Sequence, residues 1–97
     1  MHPLIRAHLA EINQLCQTRG ITFLGLFGSF ARGEESPQSD VDLLADFKQE
    51  ISLLQIIALE QTLSNILHRK VDLVERPTLK PRIQTQVMQE MLKVYPA

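Results

Sequence analysis

The sequence predicts a two-layer α/β domain, a small mixed sheet with flanking helices. Three observations carry this. The segment 21–27, ITFLGLF, is a dense apolar run too short for a free helix and rich in strand formers, as a strand buried on both faces would be. The segment 41–47 alternates Val41, Leu43, Ala45 and Phe47 with Asp42, Leu44 and Asp46, a strand period. Around these runs, apolar residues recur at spacings of three and four, the period of a helix with one buried face.

The elements follow in order. Pro3 to Arg19 reads as one helix with Ile5, Leu9, Ile12 and Cys16 on its inner face. Pro3 suits its first turn and Gly20 the position just past its end. Segment 21–27 is the first strand, ended by Gly28-Ser29. Phe30 to Gly33 forms one helical turn, and Glu34 to Ser39 is a polar loop containing Pro37. Segment 41–47 is the second strand. Ser52-Leu53-Leu54-Gln55 has the pattern of a capping box opening a helix that runs to about His68. Val71 to Val74 is a third strand. Pro81 opens a last helix with Ile83, Val87, Met88, Met91 and Leu92 inside, continuing to Tyr95.

The chain has 97 residues, 44% of them apolar, and a formal net charge of -1. One domain spanning 1–97 is expected. The apolar fraction argues against disorder. Near-neutral charge speaks against direct nucleic-acid binding through a broad basic face. No apolar run reaches the roughly 18–20 residues of a membrane span, and the N-terminal stretch does not read as a signal peptide. With a single cysteine, Cys16, the expected location is cytoplasmic.

The chemistry concentrates in Gly28-Ser29, ten intervening residues, then Asp40-Val41-Asp42. Residues two apart in a strand share a face, so Asp40 and Asp42 bring two carboxylates together. Such a pair repels unless a cation lies between. Mg2+ takes one or two carboxylates and completes its shell with waters and phosphates. Gly28 lets backbone approach an anion, Ser29 adds a hydroxyl, and Arg32 brings a guanidinium to the same phosphates. Asp72 is acidic among apolar neighbours in the third strand, and burying an unpaired carboxylate is costly. Beside the second strand in register, it would face Asp40 and Asp42, complete a two-metal site and take the proton of an attacking hydroxyl.

Gly28-Ser29, ten residues and Asp40-Val41-Asp42 resemble the signature of the DNA polymerase β-like nucleotidyltransferases. The longer form GSFARGEESPQSDVDLLADF is similar to the minimal nucleotidyltransferases, and the likeness extends along nearly the whole chain. The resemblance implies an antitoxin that transfers AMP from ATP onto a tyrosine of a HEPN ribonuclease toxin. It implies two Mg2+ ions, with Asp40, Asp42 and Asp72 as ligands, Asp72 also as base, and Gly28 and Ser29 on the triphosphate. Two other readings stand beside it: an antitoxin acting by binding alone, against which the intact carboxylates argue, and a transferase for a small molecule or nucleic-acid end, whose relatives are longer.

The remaining polar residues have plainer readings. Asp46 lies about 13 Å along the strand from Asp42 and is expected in solvent. His2, His8 and His68 lack zinc-site spacing. The cations of His68-Arg69-Lys70 suit a helix C-terminus. Ser39 shapes the loop before Asp40, Cys16 belongs to the core, and Tyr95 seals the core edge.

Overall fold

Ile5, Ile12, Leu15 and Cys16 form the buried stripe of the N-terminal helical segment. The structure, a computed structural model, describes residues 2–96. It divides the expected single helix into α1 (Pro3–Ala7) and α2 (Leu9–Arg19). His8 makes the break: its backbone sits at φ -119°, and its N–H donates to Ile5 at 3.1 Å, tightening the end of α1. Gly20, in the left-handed conformation at φ 69°, ends α2 and turns the chain into β1 (Ile21–Phe27).

A short helix α3 (Ser29–Arg32) and the polar loop lead to β2 (Val41–Phe47). Helix α4 (Leu53–Leu67) opens on the expected capping box. The Gln55 N–H donates to Ser52 Oγ at 3.2 Å, and the Ser52 N–H donates to Gln55 Oε1 at 2.8 Å. Helix α4 is the crossover that lets β3 (Val71–Glu75) lie parallel to β2. A 3-10 turn (Arg76–Thr78) and α5 (Pro81–Glu90) follow.

The chain ends differently from its sequence pattern. Helix α5 stops at Glu90, and Leu92–Tyr95 forms a strand, β4, antiparallel to β1. Four residues are too few to show a strand period, and what selects this conformation is the otherwise open edge of β1. Gly25 has the room that this requires: a Cβ there would lie 2.5 Å from Met91 Sδ. Of the expected inner face of the last helix, Val87 is buried and Met91 partly so, while Ile83, Met88 and Leu92 are each 40% exposed. Leu79 of the preceding loop takes the inner place instead.

The sheet order is β3-β2-β1-β4. One face packs on α2 and α4 through a large cluster that includes Ile12, Leu24, Leu26, Leu43, Leu63 and Leu67. The other carries a smaller cluster of Leu44, Leu79 and Val87, with Phe23, Phe27, Val74 and Met91 around it. Cys16 lies in the large cluster, where burial pushes its thiol up to about 11, and Tyr95 packs at the edge of that cluster. Among the described residues no helix is long and apolar enough to cross a membrane.

The capping box supplies a stability test. Ser52→Ala removes one of its two hydrogen bonds and should cost about 1 kcal/mol. Thermal unfolding should show a midpoint roughly 4–8 °C lower for a chain of this size. An unchanged midpoint would show that the cap contributes nothing.

Candidate active site

Phe27, Asp42 and Asp72 are cross-strand partners in β1, β2 and β3. The parallel register of β2 and β3 therefore does what the sequence pattern required, setting two carboxylates side by side. Asp42 is half-buried, and its carboxyl is raised from 3.8 to about 6. Burial is the largest cause, followed by the negative charges of Asp72 and then Asp40, with Arg32 opposing them. Asp72 is exposed on an edge strand, so the buried setting expected for it is absent. Among the described residues no strand lies beyond β3, and the Asp72 carboxylate meets solvent.

Asp40 lies just before β2, with its carboxylate 3.6 Å from Lys70 Nζ. Both side chains of that pair are well exposed, so it is a weak tie that another cation can displace. Among the described residues no three His, Cys, Asp or Glu side chains are gathered as a metal-holding set. The closest coupling is between Asp42 and Asp72, with Asp40 beside them. One or two carboxylates suffice for Mg2+, and neighbouring like charges, one of them half-buried, are the donor set such an ion relieves. The residues present fit it.

Gly28 closes β1 with φ 73° and ψ -155°, a conformation essentially restricted to glycine. A Cβ there would collide with Asp42 Oδ2. The glycine thus permits both the turn and the close approach of the second strand's carboxylate. Ser29 begins α3 directly after it, partly exposed beside Asp42's end of the sheet.

Arg32 is not free toward this turn. Its Nε donates to Glu34 at 2.7 Å, and its Nη1 donates to both Glu90 oxygens at 3.0 and 3.2 Å. Glu90 also accepts the Gly28 N–H at 3.1 Å. This residue, at the end of α5, ties the last helix to the Gly28 turn; no local spacing connects positions 28 and 90. Two arginines have positioning roles that local patterns also hid. Arg69 Nη2 donates to the carbonyls of Ser36 and Ser39 at 2.7 and 2.8 Å, fastening the loop that delivers Asp40. Its guanidinium also stacks over Phe30, 4.9 Å from the ring centre, so it does more than complement a helix end. Asp46 is not merely solvated: Arg76 grips both of its oxygens at 2.8–3.0 Å. Ser39 bonds the Ser36 N–H at 2.8 Å, shaping the loop as expected. His2 pairs with Glu35 at 2.9 Å and His8 with Glu11 at 3.0 Å.

The two positive-φ glycines flanking α3 give a comparative test. Gly28→Ala should cost about 1–3 kcal/mol in strain, with the displacement of Asp42 added. Gly33→Ala, at φ 73° but with nothing within 4 Å of a new Cβ, should cost about 1–2 kcal/mol. Urea unfolding checks the order, and equal losses would show that the approach of Asp42 to Gly28 carries no constraint.

Comparison with known proteins agrees with the geometry. Residues 10–96 match the family model described as polymerase beta, nucleotidyltransferase. The protein adenylyltransferase MntA of Thermococcus cleftensis is 40% identical over 91 residues, covering 94% of this chain and 89% of the relative. A tri-AMPylated Shewanella oneidensis HEPN toxin in complex with MNT antitoxin shares the fold at TM-score 0.73 and 19% identity, covering 96% of this chain and 73% of that one. A toxin-antitoxin crystal structure with AMP-PNP does so at TM-score 0.78 and 22% identity, covering 92% and 73%. The glycine-serine turn, the paired strand carboxylates and the match along most of the chain lead to one conclusion: the chain belongs to the polymerase β-type nucleotidyltransferase family.

Proposed function

We propose that this chain is an antitoxin that transfers AMP from ATP to a tyrosine of a HEPN-type toxin. The observation that carries the reading is the register of Asp42 with Asp72, beside a glycine turn that only a residue without a Cβ can make. Its relatives support the protein acceptor: MntA is a protein adenylyltransferase, and the structural neighbours are toxin-antitoxin complexes, one with an ATP analogue and one with an AMPylated toxin.

In this reading Asp40 and Asp42 would hold Mg2+, and Asp72 would join them in holding the catalytic ion. When bound, the ions supply positive charge to the triphosphate and acidify the acceptor hydroxyl. Gly28 and Ser29 receive the triphosphate with backbone and hydroxyl donors, and Arg32 stands beside the same turn. The tyrosine oxygen attacks the α-phosphorus and its proton passes to the Asp72 carboxylate. The bond from that phosphorus to the bridging oxygen breaks, and pyrophosphate leaves with its electron pair. The exposure of Asp72 suits this role, because an acceptor on another protein must reach it from outside. The expected setting remains cytoplasmic.

The test uses ATP labelled at the α-phosphate and a purified HEPN-type toxin as the candidate acceptor. The wild-type chain should label that protein, and replacing its acceptor tyrosine with phenylalanine should remove the label. Asp40→Ala with Asp42→Ala should abolish transfer while circular dichroism stays unchanged. Full transfer by this folded double variant would overturn the reading. Rescue of growth by the same variant at normal expression would instead favour neutralisation by binding alone.

A further inference from the structure

Val71, Asp72 and Leu73 lie at the edge of the sheet, where β2 is their neighbouring strand. The Val41 N–H donates to the Lys70 carbonyl at 2.9 Å, so that carbonyl points to β2. The N–H of the same peptide unit, that of Val71, therefore points outward, and the N–H of Leu73, two residues on, does the same. Outward donors on an edge strand are where a strand of another chain can pair. Here α4 takes both. The Val71 N–H donates to Ser64 Oγ at 3.0 Å, and the Leu73 N–H donates to a Glu60 carboxylate oxygen at 2.8 Å. The repeats match: Glu60 and Ser64 are four residues apart, about 6 Å along the helix, and alternate strand residues recur about every 6.6 Å. The later helix residue serves the earlier strand residue, so α4 runs opposite to β3.

The side chains of Val71 and Leu73 are buried in the large cluster that α4 shares, while Asp72 between them is exposed. Asp72 is thus flanked by two residues, each anchored twice: by an apolar side chain in the core and by a backbone bond to α4. Water can satisfy an outward donor at an open edge, so what these two bonds add is order. They fix the strand on both sides of the acid and close its edge to a competing strand. A functional carboxylate keeps its geometry only when the groups behind it are held. We propose, resting on the nucleotidyl transfer above and its role for Asp72, that Glu60 and Ser64 are positioning residues. They hold β3 from its outer side, so that the Asp72 carboxylate keeps its place beside Asp42. Both act through the strand backbone, and neither belongs to the glycine-serine and aspartate motif.

Labelling kinetics of the full chain with ATP labelled at the α-phosphate and a HEPN-type toxin test this, beside amide exchange by NMR. Glu60→Ala and Ser64→Ala each remove one bond to the strand, and alanine is a good helix former, so α4 should persist. Each should lower kcat about tenfold, the scale of a small misplacement of a reacting group. KM for ATP should stay unchanged, because the Gly28 turn belongs to β1 on the far side of β2. The Leu73 amide should exchange faster in Glu60→Ala, and the Val71 amide in Ser64→Ala. Glu60→Gln keeps an accepting oxygen and should restore kcat. Gln61→Ala with Asn65→Ala is the control: these exposed side chains bond each other at 3.3 Å on the same helix, and their loss should leave kcat unchanged. Wild-type kcat in folded Glu60→Ala, despite faster exchange at Leu73, overturns the proposal. So does an equal fall of kcat in the control, or a rise in KM alone. If Glu60→Ala does not fold, Ser64→Ala, which loses a single hydroxyl, decides by the same readings. A wild-type chain that labels nothing fails the proposed transfer instead. Exchange at Val71 and Leu73 then still decides whether α4 holds the strand, and unchanged exchange in both variants overturns it.

Discussion

Asp42 stands on the less covered face of the sheet, between Phe27 on one neighbouring strand and Asp72 on the other. Its carboxylate is half-buried, faces like charge, and lies against the one backbone atom of Gly28 that could carry a Cβ and does not. Each feature requires the others. The glycine admits the carboxylate, the parallel register places the second acid, and the shortage of covering side chains leaves room for a ligand. The folded chain holds the Asp42 proton to about 6, against an ordinary 3.8. Since the native state then binds the proton more tightly than the unfolded one, stability falls as pH rises from about 4 to 6, and the loss persists above that range.

Such a cost is tolerable because stability is supplied from the opposite face. There α2 and α4 bury a continuous cluster from Ile12 to Leu67, with several side chains wholly excluded from water. The site face has only the small cluster around Leu44, Leu79 and Val87. Packing and chemistry are thus assigned to different sides of one four-stranded sheet. The side chains of β2 divide accordingly: Val41, Leu43 and Ala45 enter the large core, while Asp42 and Leu44 look the other way. The structure places a destabilising charge on the thinly covered face of the sheet, where a cation would relieve it, a common compromise at functional sites.

What was legible in the sequence was local. The two central strands and the capping box at Ser52 follow from period, spacing and residue type, whereas the pairing of Asp42 with Asp72 was expected only on the condition that β3 lay beside β2 in register. The Gly28 turn was legible as a type of chemistry, though not as the close approach to Asp42. What escaped was non-local. Strand β4 exists because β1 has an edge to fill, which four residues near the end of the chain cannot announce. Glu90 reaches Gly28 across 62 positions, Arg76 reaches Asp46 across 30, and Arg69 fastens a loop 30 and more residues earlier. Each was a charged residue with an adequate surface reading until the fold supplied its partner. Asp72 stands between the two: its pairing with Asp42 was expected if β3 lay beside β2, and its exposure depended on β3 being an edge strand.

Asp42 is a carboxyl held above its ordinary range by burial and by the charge of Asp72. The direct measurement is the pH titration of its side-chain carboxyl carbon by NMR, in metal-free wild type and in Asp72→Asn. The wild-type midpoint should lie near 6 and move down when the charge on Asp72 is removed. A wild-type midpoint at the ordinary 3.8, unmoved by that substitution, would contradict it.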